Sequence, residues 1–257
     1  MRSETNWEKY SEDFLWFSYF GVIKDDVKGD IEKAIKACAD RAYLDLSRTI
    51  GYTISASTIE KNKSSKKQYE EYSKVKTTFK DKIVQLLCCK IQKMLNVESE
   101  GKFDEFHEKL CNLIVDEGKA DYKASVNGEG TPLFKEDKKI TYGQAQKWVN
   151  MTLKNLLIMN KIDNEEIIKY MHIPLDSYIF KAAGTGKDEK IFKDMNVHGL
   201  GVPNHLGEWS RIIDYNKYKE YQNKVRENTQ YNQILWEGDA WIAQAKKEKE
   251  PKEQKEE

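Results

Sequence analysis

Within the segment "YGQAQKWVNMTLKNL", residues 142–156, Gly143, Lys147, Asn150 and Lys154 recur at i, i+4, i+7 and i+11. On a helix that spacing makes one row along one side. A lysine near a helix start suits two kinds of chemistry. It can hold an anion, because the first turn offers unpaired N–H groups and the positive end of the macrodipole. It can also attack an electrophilic carbon, provided it loses its proton; a free lysine is almost wholly protonated at neutral pH, so that use requires desolvation or a positive potential. Lys154, two turns on, supplies such a charge. Gly143 costs helix stability of about 1 kcal/mol relative to alanine, a cost that makes sense where something approaches the backbone. The ordinary alternative is a solvated lysine face.

The elements around the row are legible from their end signals. Thr141 followed by Gln144 is a capping box, so a helix starts at Tyr142, with Tyr142, Ala145, Val149, Leu153, Leu156 and Leu157 on its core face. A second capping pattern, Asp163 to Glu166, predicts a short helix over 164–171. Then comes "HIPLDSYIFKAAG": Pro174 stops the preceding chain, Asp176 is a good N-cap, and Gly184 is a C′ residue. Asp176 is therefore expected at a helix start, held by its turn, with its helix packing as a neighbour of the lysine helix.

"YGQAQKWVNMTLK" followed by "HIPLDSYIFKAA" resembles the core of the helix–hairpin–helix DNA glycosylase superfamily, over residues 139–183. The separation of the two residues is closest to that of the archaeal 8-oxoguanine DNA glycosylase branch. Uncharacterised bacterial helical proteins carry similar segments. The resemblance implies a helical bundle, DNA as partner, Lys147 as the nucleophile that attacks the sugar C1′, and Asp176 as the assisting carboxylate, with no cofactor. Gly143, Asn150 and Lys154 then line the substrate side. A base taken out of the stack needs an aromatic or apolar pocket, for which Trp148 and Trp209 are the first candidates. Two departures stand in the sequence: "DKKITYGQ" replaces the family's phosphate-holding "LPGVG" hairpin, and tyrosine follows Ser177 where histidine is usual.

The rest of the chain must position these groups. At 257 residues, with only four prolines and long runs rich in Lys, Glu, Leu, Ile and Ala, it reads as all-α, with one open point: "FLWFSYF" within 7–20 is either a buried helix or a short strand. Helices are expected over 26–46, 73–97 and 103–115, with a break at Gly51 and the Ser/Thr cluster after it, and "NGEGTP" as a turn-rich connection. Residues 1–245 form a single helical domain, or two lobes connected near 116–140; 246–257 is a charged tail with five lysines and five glutamates.

Lys+Arg and Asp+Glu balance at 43 each, so any electrostatic footprint is local. The run over 61–82 holds eight lysines against three acids with tyrosines between, a track for phosphates or a solvated loop leading into a helix. Cys38, Cys88, Cys89 and Cys111 show no metal or disulfide spacing, as in a cytoplasmic protein without membrane span or signal peptide, and Cys88 and Cys89, adjacent on a helix, read as small core residues. His198 and His205 sit in a glycine-rich loop without partners at zinc spacing, and His107-Glu108 lacks the second histidine of a metalloprotease helix. Tyr215, Tyr218, Tyr221, Gln222 and Val225 form a packing face after an Asp214 cap. The leading expectation is a glycosylase or lyase acting on a damaged or modified base, in repair or in defence against phage. The alternative is a non-catalytic helical module that binds nucleic acid or protein on the same scaffold.

Overall fold

Long runs of good helix formers, interrupted by few prolines, leave helix as the cheapest way to satisfy the backbone. The computed structural model, which describes residues 5–54, 66–126 and 129–250, is mainly α-helical with one two-stranded sheet among those residues. The chain divides into two compact units, Met1–Asp163 and Asn164–Glu257.

The first unit contains α1 (Thr5–Phe20), α2 (Ile31–Leu46), α3 (Lys66–Met94), α4 (Glu100–Glu117), a hairpin of β1 (Lys123–Val126) and β2 (Glu129–Pro132), and α5 (Tyr142–Ile158). The 7–20 segment is thus a helix, and the strands lie elsewhere. Helix α2 begins later than periodicity suggests. Lys24–Val27 is a 3-10 turn, Gly29 takes φ +73°, and Asp30 then caps the helix by accepting from the Lys33 amide at 2.9 Å. Buried Ala34, Cys38, Ala39 and Ala42 give α2 a thin side, and α5 packs closely against it. Small residues at a contact let helix axes approach.

The hairpin is antiparallel, with Lys123 opposite Pro132 and Val126 opposite Glu129. It closes onto α3: Tyr72 donates to the Leu133 carbonyl at 2.6 Å, and Phe79 meets Tyr122 and Phe134 edge-on. The backbone also ties Thr53 N to Leu133 O and Lys135 N to Gly51 O. These bonds hold 116–140 inside the first unit, so the boundary between units falls at Asp163/Asn164 rather than in that connection. Part of the Ser/Thr cluster after Gly51, the first residues of the basic run, Asn127 and Gly128 of the expected connection and the end of the charged tail lie outside the described residues.

The second unit contains α6 (Glu165–Tyr170), α7 (Ser177–Gly184), α8 (Tyr215–Asn228) and α9 (Gln233–Lys249). Asn164, one residue after the expected Asp163, caps α6, and Gly184 is the last residue of α7, with Thr185 as its C-cap. Ala182, Ile191, Val197, Ala240 and Ala243 form a core between α7, α9 and the loop after α7. That loop needs a glycine at 199, because a Cβ there would lie 2.1 Å from the Thr185 carbonyl oxygen.

Candidate active-site helix and the aspartate turn

Helix α5 starts where the capping box places it. The Thr141 hydroxyl accepts from the Gln144 amide at 3.2 Å, and the Gln144 side chain accepts from the Thr141 amide at 3.1 Å. Gln144 also donates to the Thr49 carbonyl at 2.8 Å, which ties the helix start to the 3-10 turn Ser47–Thr49 that follows α2. The core face is as the spacing predicts, with Tyr142, Ala145, Val149, Leu153 and Leu156 buried.

The polar row is buried as well. Gly143, Lys147 and Asn150 are buried and Lys154 is half-buried, with Lys147 only 6% exposed. A solvated lysine face is excluded. The row's polar groups are bonded along the helix and to a partner on another helix, which local spacing cannot reveal. Asn150 Oδ1 meets His107 Nε2 of α4 at 2.8 Å, Asn150 Nδ2 donates to Gln146 Oε1 at 2.9 Å, and Gln146 Nε2 donates to the Gly143 carbonyl at 2.9 Å.

The direction of this chain is set by its end. A backbone carbonyl only accepts, so Gln146 must present its NH2 to Gly143 and its oxygen to Asn150. Asn150 then turns its own oxygen to His107, whose Nε2 carries the proton. Cys111, one turn along α4, has its sulfur 3.8 Å from the His107 ring nitrogens, and burial pushes its thiol pKa up. The lack of a metal motif gives His107 no role in the sequence. Its place in the amide chain depends on a residue 43 positions away.

Trp148 is not a pocket residue. It is wholly buried, its indole N–H donates to the Ala39 carbonyl at 2.9 Å, and its ring tilts against Tyr43 at 5.2 Å. The expectation fails because Trp148 projects to the α2 side of α5, one residue round from Lys147. Trp209 opens the 3-10 turn Trp209–Arg211 of the second unit and is half-buried.

Asp176 lies in the second unit and is the N-cap of α7. One carboxylate oxygen accepts from the Tyr178 and Ile179 amides, both at 3.0 Å, and the other from the Trp241 indole at 3.3 Å. The chain leading to it is fixed by a row of polar residues on α8. Gln222 brackets Ile173, accepting from its amide at 3.1 Å and donating to its carbonyl at 2.9 Å, as a neighbouring strand would. Tyr218 meets His172 Nδ1 at 3.0 Å, Arg226 donates to the Tyr170 carbonyl at 2.8 Å, and Gln233 of α9 donates to Lys169 and Met171. The expected α8 packing face is present, with Tyr218, Tyr221, Gln222 and Val225 buried after the Asp214 cap. Arg226, at i+4 from Gln222, extends it; a charged residue breaks an apolar pattern, so periodicity does not reveal it.

The two candidate groups are therefore a buried lysine in the first unit and a hydrogen-bonded aspartate in the second. Among the described residues, no group of three or more His, Cys, Asp or Glu could hold a metal ion, and no helix is long and apolar enough to cross a membrane. Comparison of the chain with protein-family models, with curated proteins and with solved structures yields no match.

Proposed function

We propose that the chain cleaves the N-glycosidic bond of a damaged or modified base in DNA, in repair or in phage defence. Lys147 is the nucleophile and Asp176 the assisting carboxylate. The burial of Lys147, in the first half of a central helix and beside a hydrogen-bonded amide row, is the observation that supports this reading. A nucleophilic lysine is held out of bulk water, and Lys147 is so held.

In the proposed reaction the Lys147 amine attacks C1′, and the C1′–N bond breaks with its electron pair leaving on the base, which takes up a proton. The amine proton is then lost, and the nitrogen lone pair expels the ring oxygen O4′, which takes up a proton, to give the Schiff base. The Asp176 carboxylate stabilises positive charge that develops on the sugar.

Borohydride trapping tests this directly. Protein is incubated with oligonucleotides, duplex and single-stranded, carrying abasic, 8-oxoguanine, uracil or hydroxymethylcytosine sites. A covalent adduct that is lost in Lys147→Gln is the expected result. The competing reading is a non-catalytic DNA-binding module, favoured by the fact that capping alone accounts for the position of Asp176. Salt-dependent DNA binding unchanged in Lys147→Gln and Asp176→Asn, with no adduct on any substrate, would establish that reading instead.

A further inference from the structure

Helix α1 shows solvent a row of aromatic rings. Trp7, Tyr10, Phe14 and Phe17 recur at i, i+3, i+7 and i+10, and they are 73%, 61%, 61% and 61% exposed. The opposite side of the helix is anchored to the first unit. Phe20 is buried, Arg41 stands 4.2 Å over the Tyr19 ring, Lys9 pairs with Asp25 at 3.1 Å and Lys24 with Glu12 at 2.8 Å. The outward row therefore belongs to a fixed helix. Its rings are already arranged on one another, Trp7 edge-on to Tyr10 at 5.8 Å and Tyr10 stacked with Phe14 at 6.5 Å. Rings ordered beforehand lose less entropy on docking.

We infer that α1 is a self-association helix that pairs antiparallel with α1 of a second copy of this chain. The spacing of the row, three, four and three residues, reads the same in both directions. A two-fold antiparallel pair accordingly sets Trp7 against Phe17 of the second copy and Tyr10 against Phe14 of the second copy, so that one surface complements itself. Ser11 and Ser18, small and uncharged, flank the row on one side and let a second helix approach.

The area suffices for such a pair. Aromatic side chains offer roughly 150–250 Å² each, so four rings at these exposures present roughly 500 Å² per copy. Fully covered on both copies, the rings bury about 1,000 Å², the lower bound for a specific interface. A membrane surface fits the row less well. Helices that lie on lipid carry Lys and Arg on their polar side, whereas α1 carries Glu8, Glu12 and Asp13 against one lysine, which is tied to Asp25. This inference is independent of the proposed chemistry, and no residue of the row belongs to that site.

The test is the mass of the full-length chain by sedimentation or light scattering at micromolar concentration, for wild type, Phe14→Glu, Tyr10→Lys and the double variant. Wild type should be a dimer. Each single change puts a charge against an aromatic ring and should weaken association by at least about thirtyfold, the loss typical of an interface hot spot. The double variant places each new acid opposite a new base and should recover most of the affinity. Both substituted positions are exposed, so folding, checked by circular dichroism, should be intact. A monomeric wild type, a dimer that survives Phe14→Glu, or a double variant no better than the singles would overturn the inference. So would a monomeric wild type that floats with phosphatidylcholine or phosphatidylserine vesicles.

Discussion

Replacing Asn150 tests whether the buried amide row holds the first unit together. The side chain is wholly buried and joins His107 at 2.8 Å to Gln146 at 2.9 Å. Asn150→Ala removes both bonds, one from the His107 ring and one to the Gln146 side-chain oxygen. Each such loss costs about 1–3 kcal/mol, so the variant should be destabilised by about 2–5 kcal/mol, measured as the shift of the urea midpoint at unchanged slope. Gln146→Ala should be costly too, but the double variant should lose less than the sum, because both changes remove the same Asn150–Gln146 bond; coupling of about 0.5–3 kcal/mol is the range for residues in one network. Asn150→Asp probes the direction of the chain. It keeps the shape but sets an oxygen against Gln146 Oε1, which the Gly143 carbonyl prevents from turning, so at neutral pH it should cost at least as much as alanine. A loss below about 0.5 kcal/mol in Asn150→Ala, or strict additivity, would refute the network. A harmless Asn150→Asp would refute its direction.

Asp176 separates capping from chemistry. Asn is as good a cap as Asp but sets an NH2 against the Trp241 indole N–H, so Asp176→Asn should keep the cap and lose about 0.5–1 kcal/mol with that bond, while Asp176→Ala loses about 1 kcal/mol more; under the proposed chemistry both lose borohydride-trapped adduct. Thiol labelling should track burial. In the native protein Cys89, which is exposed, should react first, Cys88, whose pKa burial pushes up to about 11, much more slowly, and Cys38 and Cys111 only on unfolding; early reaction at Cys38 would contradict its place against Met159. Asp40 ties α2 to α3 between Lys36 and Lys80, each within 2.8 Å. Burial pushes its carboxyl pKa up, but hydrogen bonds from the two lysines outweigh this and the net shift is down. Its stabilisation, about 1 kcal/mol for a part-exposed pair, is therefore present above the ordinary carboxylate pKa and lost as pH falls through the depressed folded-state value. Asp40→Asn should flatten that part of the acid limb in urea titrations from neutral pH to pH about 3, and an unaltered limb would argue against the pairing.

How much of the fold is legible in the sequence depends on how far away each cause lies. Local causes are legible. The Thr141–Gln144 box, the Asp176 and Asp214 caps and the core face of α5 are settled by neighbours within a turn or two, and the sequence displays those neighbours side by side. The β-hairpin is not, although Asn127-Gly128 is a strong two-residue hairpin signal. "KASV" and "EGTP" are short and lack apolar alternation, and the strands form because Tyr72 and Phe79 on α3 receive Leu133 and Phe134, the two residues just after β2.

The same distinction accounts for the lysine row and for α1, where the sequence misleads in opposite senses. Periodicity assigns a residue to core or solvent by its own polarity, but burial is a property of what stands opposite. Gly143, Lys147 and Asn150 look like a solvated side until His107, on a different helix, takes the role of amide partner. Trp7, Tyr10, Phe14 and Phe17 look like core until the structure leaves their side of α1 open. Apolar area left wet on α1 costs free energy in the isolated fold, whereas desolvation of the row on α5 is offset by the hydrogen bonds of Asn150 and Gln146. The aromatic row is not needed to fasten α1, which is already anchored through Tyr19, Phe20 and its ion pairs. An exposed row that the fold does not need and a lysine placed where few lysines lie, rather than the well-predicted caps and core faces, are where function should be sought.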